Sequence, residues 1–206
     1  AAQWALENPV LAEGEEGYES DTGRSKIGNG EDPWVSRHYR DIIEFDAHGF
    51  GVKADGTTDD TAAWTTAINA VYAKGGGVLR WTGVSIVSQI SLRSKVGLWG
   101  FGTGVSFLKQ KAGRADGTHI VRIIEADALQ ILLKDFAVYG NRANQTSGMG
   151  SGIFVDNNAG GGGMMRHYVN NVLIYGVKGH GLDWGYGCGG SLIDGLQTYQ
   201  CDGYGV

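Results

Sequence analysis

The sequence predicts an all-β fold: a parallel β-helix of about 24 residues per coil, preceded by one capping α-helix and a small N-terminal module. Three observations carry this reading. Glycine is abundant (36 of 206 residues) and proline scarce (2), and the glycines cluster around short apolar runs. That is the pattern of tight turns between short strands, without the period or the proline of collagen. Similar strand-like segments recur along the second half of the chain. Only one stretch has helical spacing of its apolar residues.

Residues 1–40 form the N-terminal module. "NPVLAEGEEGYESDTGRSKIGNGEDPW" mixes acids, turn dipeptides such as Asn29-Gly30 and scattered apolar positions. Alone it buries little surface, so it is expected to pack against another subunit or protein. Leu6, Val10, Tyr18, Ile27 and Trp34 are spaced like the core of a very small β module.

Residues 41–206 read as the start of the β-helix. Asp59, Asp60 and Thr61 are N-cap candidates for a helix over about 59–74. Ala63, Trp64, Ala67, Ile68, Val71 and Tyr72 fall on one face, and Gly75–Gly77 end it. The first coil of a β-helix exposes a bare edge and an open core, which this helix would cover. "DGTTDD" is not a calcium loop, because the twelfth position from Asp55 is Thr66 where an EF-hand needs Glu. "GFGTG" at 100–104 has no helix after it and reads as a turn.

Coils run from about residue 77. "LLKDFAVYG" (132–140), "YVNNVLIYG" (168–176) and "LIDGLQTYQ" (192–200) align with offsets of 36 and 24 residues. Phe136, Val172 and Leu196 then stack, as do Val138, Ile174 and Thr198. Each strand is followed by Gly-x-Gly plus an apolar residue, at 150–153, 179–182 and 203–206. The Gly-x-Gly position thus holds Ser151, His180 and Tyr204 in turn, so His180 reads as one variant at a repeated turn. Lys178 and Asp202 share a repeat position and are expected to pair. Lys134, Asn170 and Asp194 form a polar ladder. Tyr139, Tyr175 and Tyr199 form an outward ladder of rings that could stack on sugars or be covered by a neighbouring subunit, the latter being favoured.

A net charge of −5 disfavours nucleic acid or an anionic membrane as partner. No run approaches a membrane-spanning length, and no basic segment precedes an apolar one as a signal peptide requires. Cys188 and Cys201 have no metal spacing and read as buried small apolar residues, and no cofactor is implied.

Two motifs resemble known families. The run A-x-x-N-P-V-L-A-x-G-E-x-G-x-E-x-D-T-G-R-x-K-I-G-x-G-x-x-P-W looks like the short N-terminal motif of bacteriophage tail fibres and tail spikes. "FGVKADGTTDDTAAWTTAINAV…GGGVLRW" resembles the opening of the pectate-lyase-like, right-handed parallel β-helix superfamily, with Trp81-Thr82-Gly83 where that group often has Pro-Pro-Gly. The Gly-His-Gly triplet at 179–181 is similar to one in polygalacturonases, but the acidic segments that accompany it there are missing. Together the resemblances imply a virion tail spike: a homotrimer attached to other tail or baseplate proteins through residues 1–40. It would bind host surface polysaccharide and often cleave it, as a hydrolase or a lyase. A non-enzymatic spike or adhesin of the same fold is the alternative. Any catalytic set in this stretch would be drawn from His180, Asp183 and Asp194, and any sugar contact from Tyr139, Tyr175 and Tyr199. No convergent carboxylate pair is legible, so the active site is expected beyond residue 206.

Overall fold

The structure, a computed structural model, describes residues 6–19, 24–37, 43–114, 117–123, 131–146, 148, 150–155, 167–184 and 191–206. Cys188 lies outside them. The chain divides into two compact units, residues 1–43 and 44–206.

In the first unit β1 (Glu16–Glu19) and β2 (Arg24–Ile27) pair antiparallel. Alternation along β1 turns Gly17 and Glu19 inward, and Trp34 packs over them, 2% exposed. A Cβ at Gly17 would sit 2.4 Å from the Trp34 ring, so only glycine admits the indole. Trp34 Nε1 donates to Glu19 Oε1 at 3.1 Å, and Lys26 Nζ donates to the Trp34 carbonyl at 2.8 Å. The core expected from spacing is largely displaced: Leu6, Val10 and Tyr18 are 87%, 51% and 60% exposed. A hairpin of four-residue strands has one inward row, and Gly17 and Glu19 occupy it in place of Tyr18.

The second unit is mostly β. Its strands are β3 (Glu44–Asp46), β4 (Asp55–Asp59), β5 (Gly77–Arg80), β6 (Gly83–Val87), β7 (Ile90–Leu92), β8 (Val96–Trp99), β9 (Ser106–Gln110) and β10 (Val121–Ile123). They continue with β11 (Leu132–Tyr139), β12 (Ile153–Val155), β13 (Tyr168–Tyr175), β14 (Leu182–Trp184), β15 (Leu192–Asp194) and β16 (Gln197–Tyr199). All pairings within this unit are parallel. One row runs β3-β5-β8-β11-β13-β15 and a second β4-β6-β9-β11-β13-β16. The two merge because β11 and β13 pass through both. A third row, β7-β10-β12-β14, is a separate sheet.

The long strands bend where Asp135 and Asn171 adopt left-handed backbone, with Gly195 at the equivalent place (φ 56, 48 and 68). Asp, Asn and Gly are the residues that enter this region at least cost. Between the rows lies one apolar core of Leu79, Leu98, Leu133 and Val169 on the first row, Leu108, Val138 and Ile174 on the second, and Ile90, Val121, Ile153 and Leu182 on the third.

Partner residues follow the expected register: Phe136 with Val172, Ile174 with Thr198, Tyr175 with Tyr199. The 24-residue spacing holds only for the last repeat. Gly77 pairs with Val96 and Leu98 with Leu133, so other repeats span 19 to 36 residues. Stacking fixes strand register but leaves the connections free to vary in length.

The α-helix, α1, runs Thr61–Ala73 and buries Trp64, Ala67, Ile68 and Val71 against β5, β7 and β8. The two aspartates before it divide the work. Asp59, one residue before the N-cap Asp60, accepts from the Thr61 backbone N–H at 3.1 Å through Oδ1. Asp60 turns inward and accepts from the backbone N–H groups of Lys53 (2.8 Å) and Ala54 (2.9 Å) and from Ser85 Oγ (2.7 Å), while Trp64 Nε1 donates to Ser85 Oγ.

Candidate functional site

Side chains alternate along the third row, so Ile90, Val121, Ile153 and Leu182 point inward while Ser91, Arg122, Phe154 and Asp183 share the outer face. The residues just before these strands add a second column, because the backbone N–H of Ile120 donates to the Ser151 carbonyl, that of Gly152 to His180, and that of Gly181 to Tyr204. His119, Ser151, His180 and Tyr204 therefore stack beside Arg122, Phe154 and Asp183.

Both histidines are held from behind. His119 Nδ1 accepts from the Ser151 N–H (3.1 Å), and its ring lies on Phe154 with centroids 4.1 Å apart. His180 Nδ1 accepts from the Tyr204 N–H (3.0 Å), and its ring lies on Tyr204 at 5.5 Å. In a neutral ring this places the proton on Nε2, so each histidine offers a donor, not a base. Burial pushes His119 down to about 4, with the Arg122 and Arg114 charges adding to the effect and Asp183 opposing it. Asp183 Oδ2 accepts from Ser151 Oγ at 3.3 Å. The face thus combines a guanidinium, two imidazole donors and one carboxylate: the equipment to hold an acidic, hydroxyl-rich chain.

Of the residues marked in the sequence, His180 and Asp183 lie three residues apart at the start of β14. Asp194 does not join them. It lies on β15 in another sheet, exposed, where it accepts from Asn170 Nδ2 at 3.1 Å. That contact belongs to the expected ladder, since Lys134 pairs with Asn170 and Asn170 with Asp194. The tyrosines also form their ladder: Tyr139–Tyr175 and Tyr175–Tyr199 stack at 4.8 and 5.2 Å.

Lys178 and Asp202 do not pair. Lys178 Nζ donates to the Gln145 backbone carbonyl (2.9 Å), and Asp202 is met by the Arg142 side chain from an earlier repeat (2.9 Å). The Gly-x-Gly glycines are not there for positive φ either. A Cβ at Gly150 would lie 1.9 Å from the Thr118 oxygen, and one at Gly179 would lie 1.9 Å from the Gly150 oxygen. They let successive repeats approach closely. Cys201 is half-buried, and burial raises its thiol, which disfavours the thiolate. Among the described residues no three His, Cys, Asp or Glu side chains converge to hold a metal ion.

Arg122 and His119 carry no motif and were not legible in advance. The signal available was Thr118-His119-Ile120, one repeat before Gly150-Ser151-Gly152, hidden because that repeat has no glycine pair. A cavity of about 410 Å³ beside Glu44, His48, Arg80 and Phe101 is closed chemically. Arg80 pairs with Glu44 at 2.7 Å, and both ring nitrogens of His48 are engaged, with Val52 and Thr82.

No family model matches the chain. Mannuronan C5-epimerase AlgE2 of Azotobacter vinelandii is 33% identical over 153 residues, which is 68% of this chain and 15% of the relative. Mannuronan C5-epimerase AlgE5 of the same organism matches equally, so the chain spans about 15% of the length of these curated relatives. The A-module of mannuronan C-5 epimerase AlgE4 superposes with a TM-score of 0.64 at 24% identity, covering 79% of this chain and 52% of that one. The A-module of AlgE6 gives 0.60 at 28% identity, covering 77% and 43%. The chain is homologous to mannuronan C5-epimerases, and its stacked parallel strands are shared with their A-modules.

Proposed function

We propose that this chain is part of a virion tail spike that binds an acidic polysaccharide of the host surface along the outer face of β10, β12 and β14. It would be attached to the phage tail through residues 1–40, be assembled as a homotrimer of right-handed parallel β-helices, and depolymerise the glycan as a whole protein. Homology to enzymes that act on mannuronan carries the polysaccharide half of this reading. The face fits such a ligand: Arg122 opposes a uronate carboxylate, the histidine Nε2–H groups of His119 and His180 donate to hydroxyls or carboxylate, and Asp183 accepts from a hydroxyl. The tail-fibre-like motif of residues 5–39 supports the virion half.

Chemistry at C5 of a uronate begins with loss of the proton next to its carboxylate. Returning a proton to the opposite face epimerises the sugar, whereas expelling the C4-linked neighbour cleaves the chain by elimination. A second reading, a spike that binds without cleaving, is favoured by the histidine tautomers, which leave Asp183 as the acceptor on this face. Retention of polymannuronate and other polyuronates, with a neutral glucan as control, tests the binding. Arg122→Ala and Asp183→Asn should each weaken it by roughly tenfold or more. Equal retention of the neutral glucan would sink the proposal. Ultraviolet-absorbing unsaturated ends appearing with time would select cleavage by elimination.

A further inference from the structure

Between β9 and β10 the chain folds Arg114 into the body of the second unit, where it is 8% exposed. Its backbone is tied down: Arg114 N–H donates to Gln145 Oε1 (3.0 Å), and its carbonyl accepts from Thr146 Oγ1 (3.3 Å). Gln145 is itself pinned, its Nε2 donating to the carbonyls of Lys111 (3.0 Å) and Gly140 (3.2 Å). With the Gln110 amide turned so that its nitrogen donates to Gly140, its oxygen accepts from Arg114 Nη1 at 3.2 Å. Arg114 Nη2 is buried and has no hydrogen-bond partner among the described residues.

Arg114 lines a cavity of about 10 Å³, room for one water-sized atom, together with Thr118 and Lys178. Lys178 spends one of its donors on the Gln145 carbonyl and leaves the others. No carboxylate is among the described residues that line this cavity. A buried guanidinium without a counter-charge is costly, and an anion held between it and the half-buried Lys178 relieves that cost. We propose that Arg114 and Lys178 form a site for a single anionic atom: a halide, or one carboxylate oxygen of an acidic sugar. Thr118 immediately precedes His119, so a uronate seated on the face proposed above would have a carboxylate within reach of the cavity. The sugar half rests on that face, whereas the anion site does not.

Bromide and short oligouronates, applied to the whole chain, test the site. Crystals soaked in bromide should show an anomalous peak at hydrogen-bond distance from Arg114 Nη2. In solution, bromide at constant ionic strength should raise the melting temperature saturably. Arg114→Gln should weaken that effect roughly tenfold or more, and Lys178→Met should reduce it. Without halide, Arg114→Gln should melt above the parent, because an unpaired buried charge has been removed; a merely structural arginine would give the opposite. Competition between an oligouronate and bromide assigns the site to the glycan carboxylate, and binding of both at once assigns it to a free halide. Water density in place of bromide overturns the proposal. Glycan retention that survives Arg114→Gln while bromide binding is lost confines the failure to the sugar half. Loss of retention in Arg122→Ala with bromide still bound leaves this site standing and the outer face in question.

Discussion

Asn171 donates its side-chain amide to Asp135 Oδ1 at 2.7 Å, one repeat apart, and both residues hold left-handed backbone at the bend of their strands. Asp135 is anchored in turn by Trp99 Nε1, which donates to its other oxygen at 3.0 Å. The bend is therefore propagated from repeat to repeat by side chains as well as by backbone pairing.

Replacing Asn171 separates the two contributions. Asn171→Val loses the hydrogen bond and forces a β-branched residue to φ 48, a combined cost of about 2–3 kcal/mol. Asn171→Gly loses the bond but accepts the backbone, and should cost about 1 kcal/mol or less. Denaturant unfolding of both variants checks the order. Equal losses would mean that the bend is not set by this residue.

Acid should destabilise the second unit through two histidines. His119 and His167 are both pushed down to about 4, in each case chiefly by burial, and His167 has no hydrogen-bond partner at either ring nitrogen among the described residues. Their folded values lie below the ordinary 6.5, so the stabilisation is complete above that pH and is lost as pH falls toward 4. Unfolding in this window should take up about two extra protons. His167→Phe should flatten the pH dependence measured by denaturant titration between these limits, and an unchanged slope would contradict it.

Asp60 ties the loop ahead of α1 to β6. Asp60→Ala would strand two backbone N–H groups and the Ser85 hydroxyl in a buried place, at a cost of about 2–5 kcal/mol. Asp59→Ala removes an exposed contact with the first helical N–H and an exposed pair with Lys111, and should cost only about 1 kcal/mol. Thermal or denaturant melts of the pair test whether the adjacent aspartates have these different jobs.

The tyrosine ladder can be read by titration at alkaline pH. Burial, then the Tyr199 and Tyr139 phenols, raise Tyr175 above the ordinary 10. A raised phenol contributes stability below that value that is lost above it. Tyr199→Leu should bring Tyr175 back down, followed by phenolate absorbance. No movement would mean that the rings are not stacked in solution.

Whether the proposed homotrimer covers these rings can be tested by sedimentation. Tyr175→Ser should shift a homotrimer toward monomer, while an unchanged assembly would remove the ladder from the interface.

Much of the repeat was legible in the sequence because β-stacking is periodic. Apolar residues at fixed offsets must meet if they share a core, so Phe136 with Val172 and Ile174 with Thr198 follow from spacing alone. The buried helical stripe of Trp64, Ala67, Ile68 and Val71 was legible for the same reason at a period of 3.6. Offsets assign neighbours, however, and do not say where a long polar side chain ends. Lys178 and Asp202 share a repeat position, yet each finds a partner from an earlier repeat. The bend at Asp135, Asn171 and Gly195 was present as an Asp, Asn, Gly column, but a local pattern of alternating residues hides a single left-handed step. The outer face was beyond reach for a deeper reason. Arg122, Phe154 and Asp183 come from repeats of unequal length, and His119 from a repeat without its glycines, so no fixed offset links them. Only the three-dimensional register, which lets connections vary while strands stay paired, brings them to one surface.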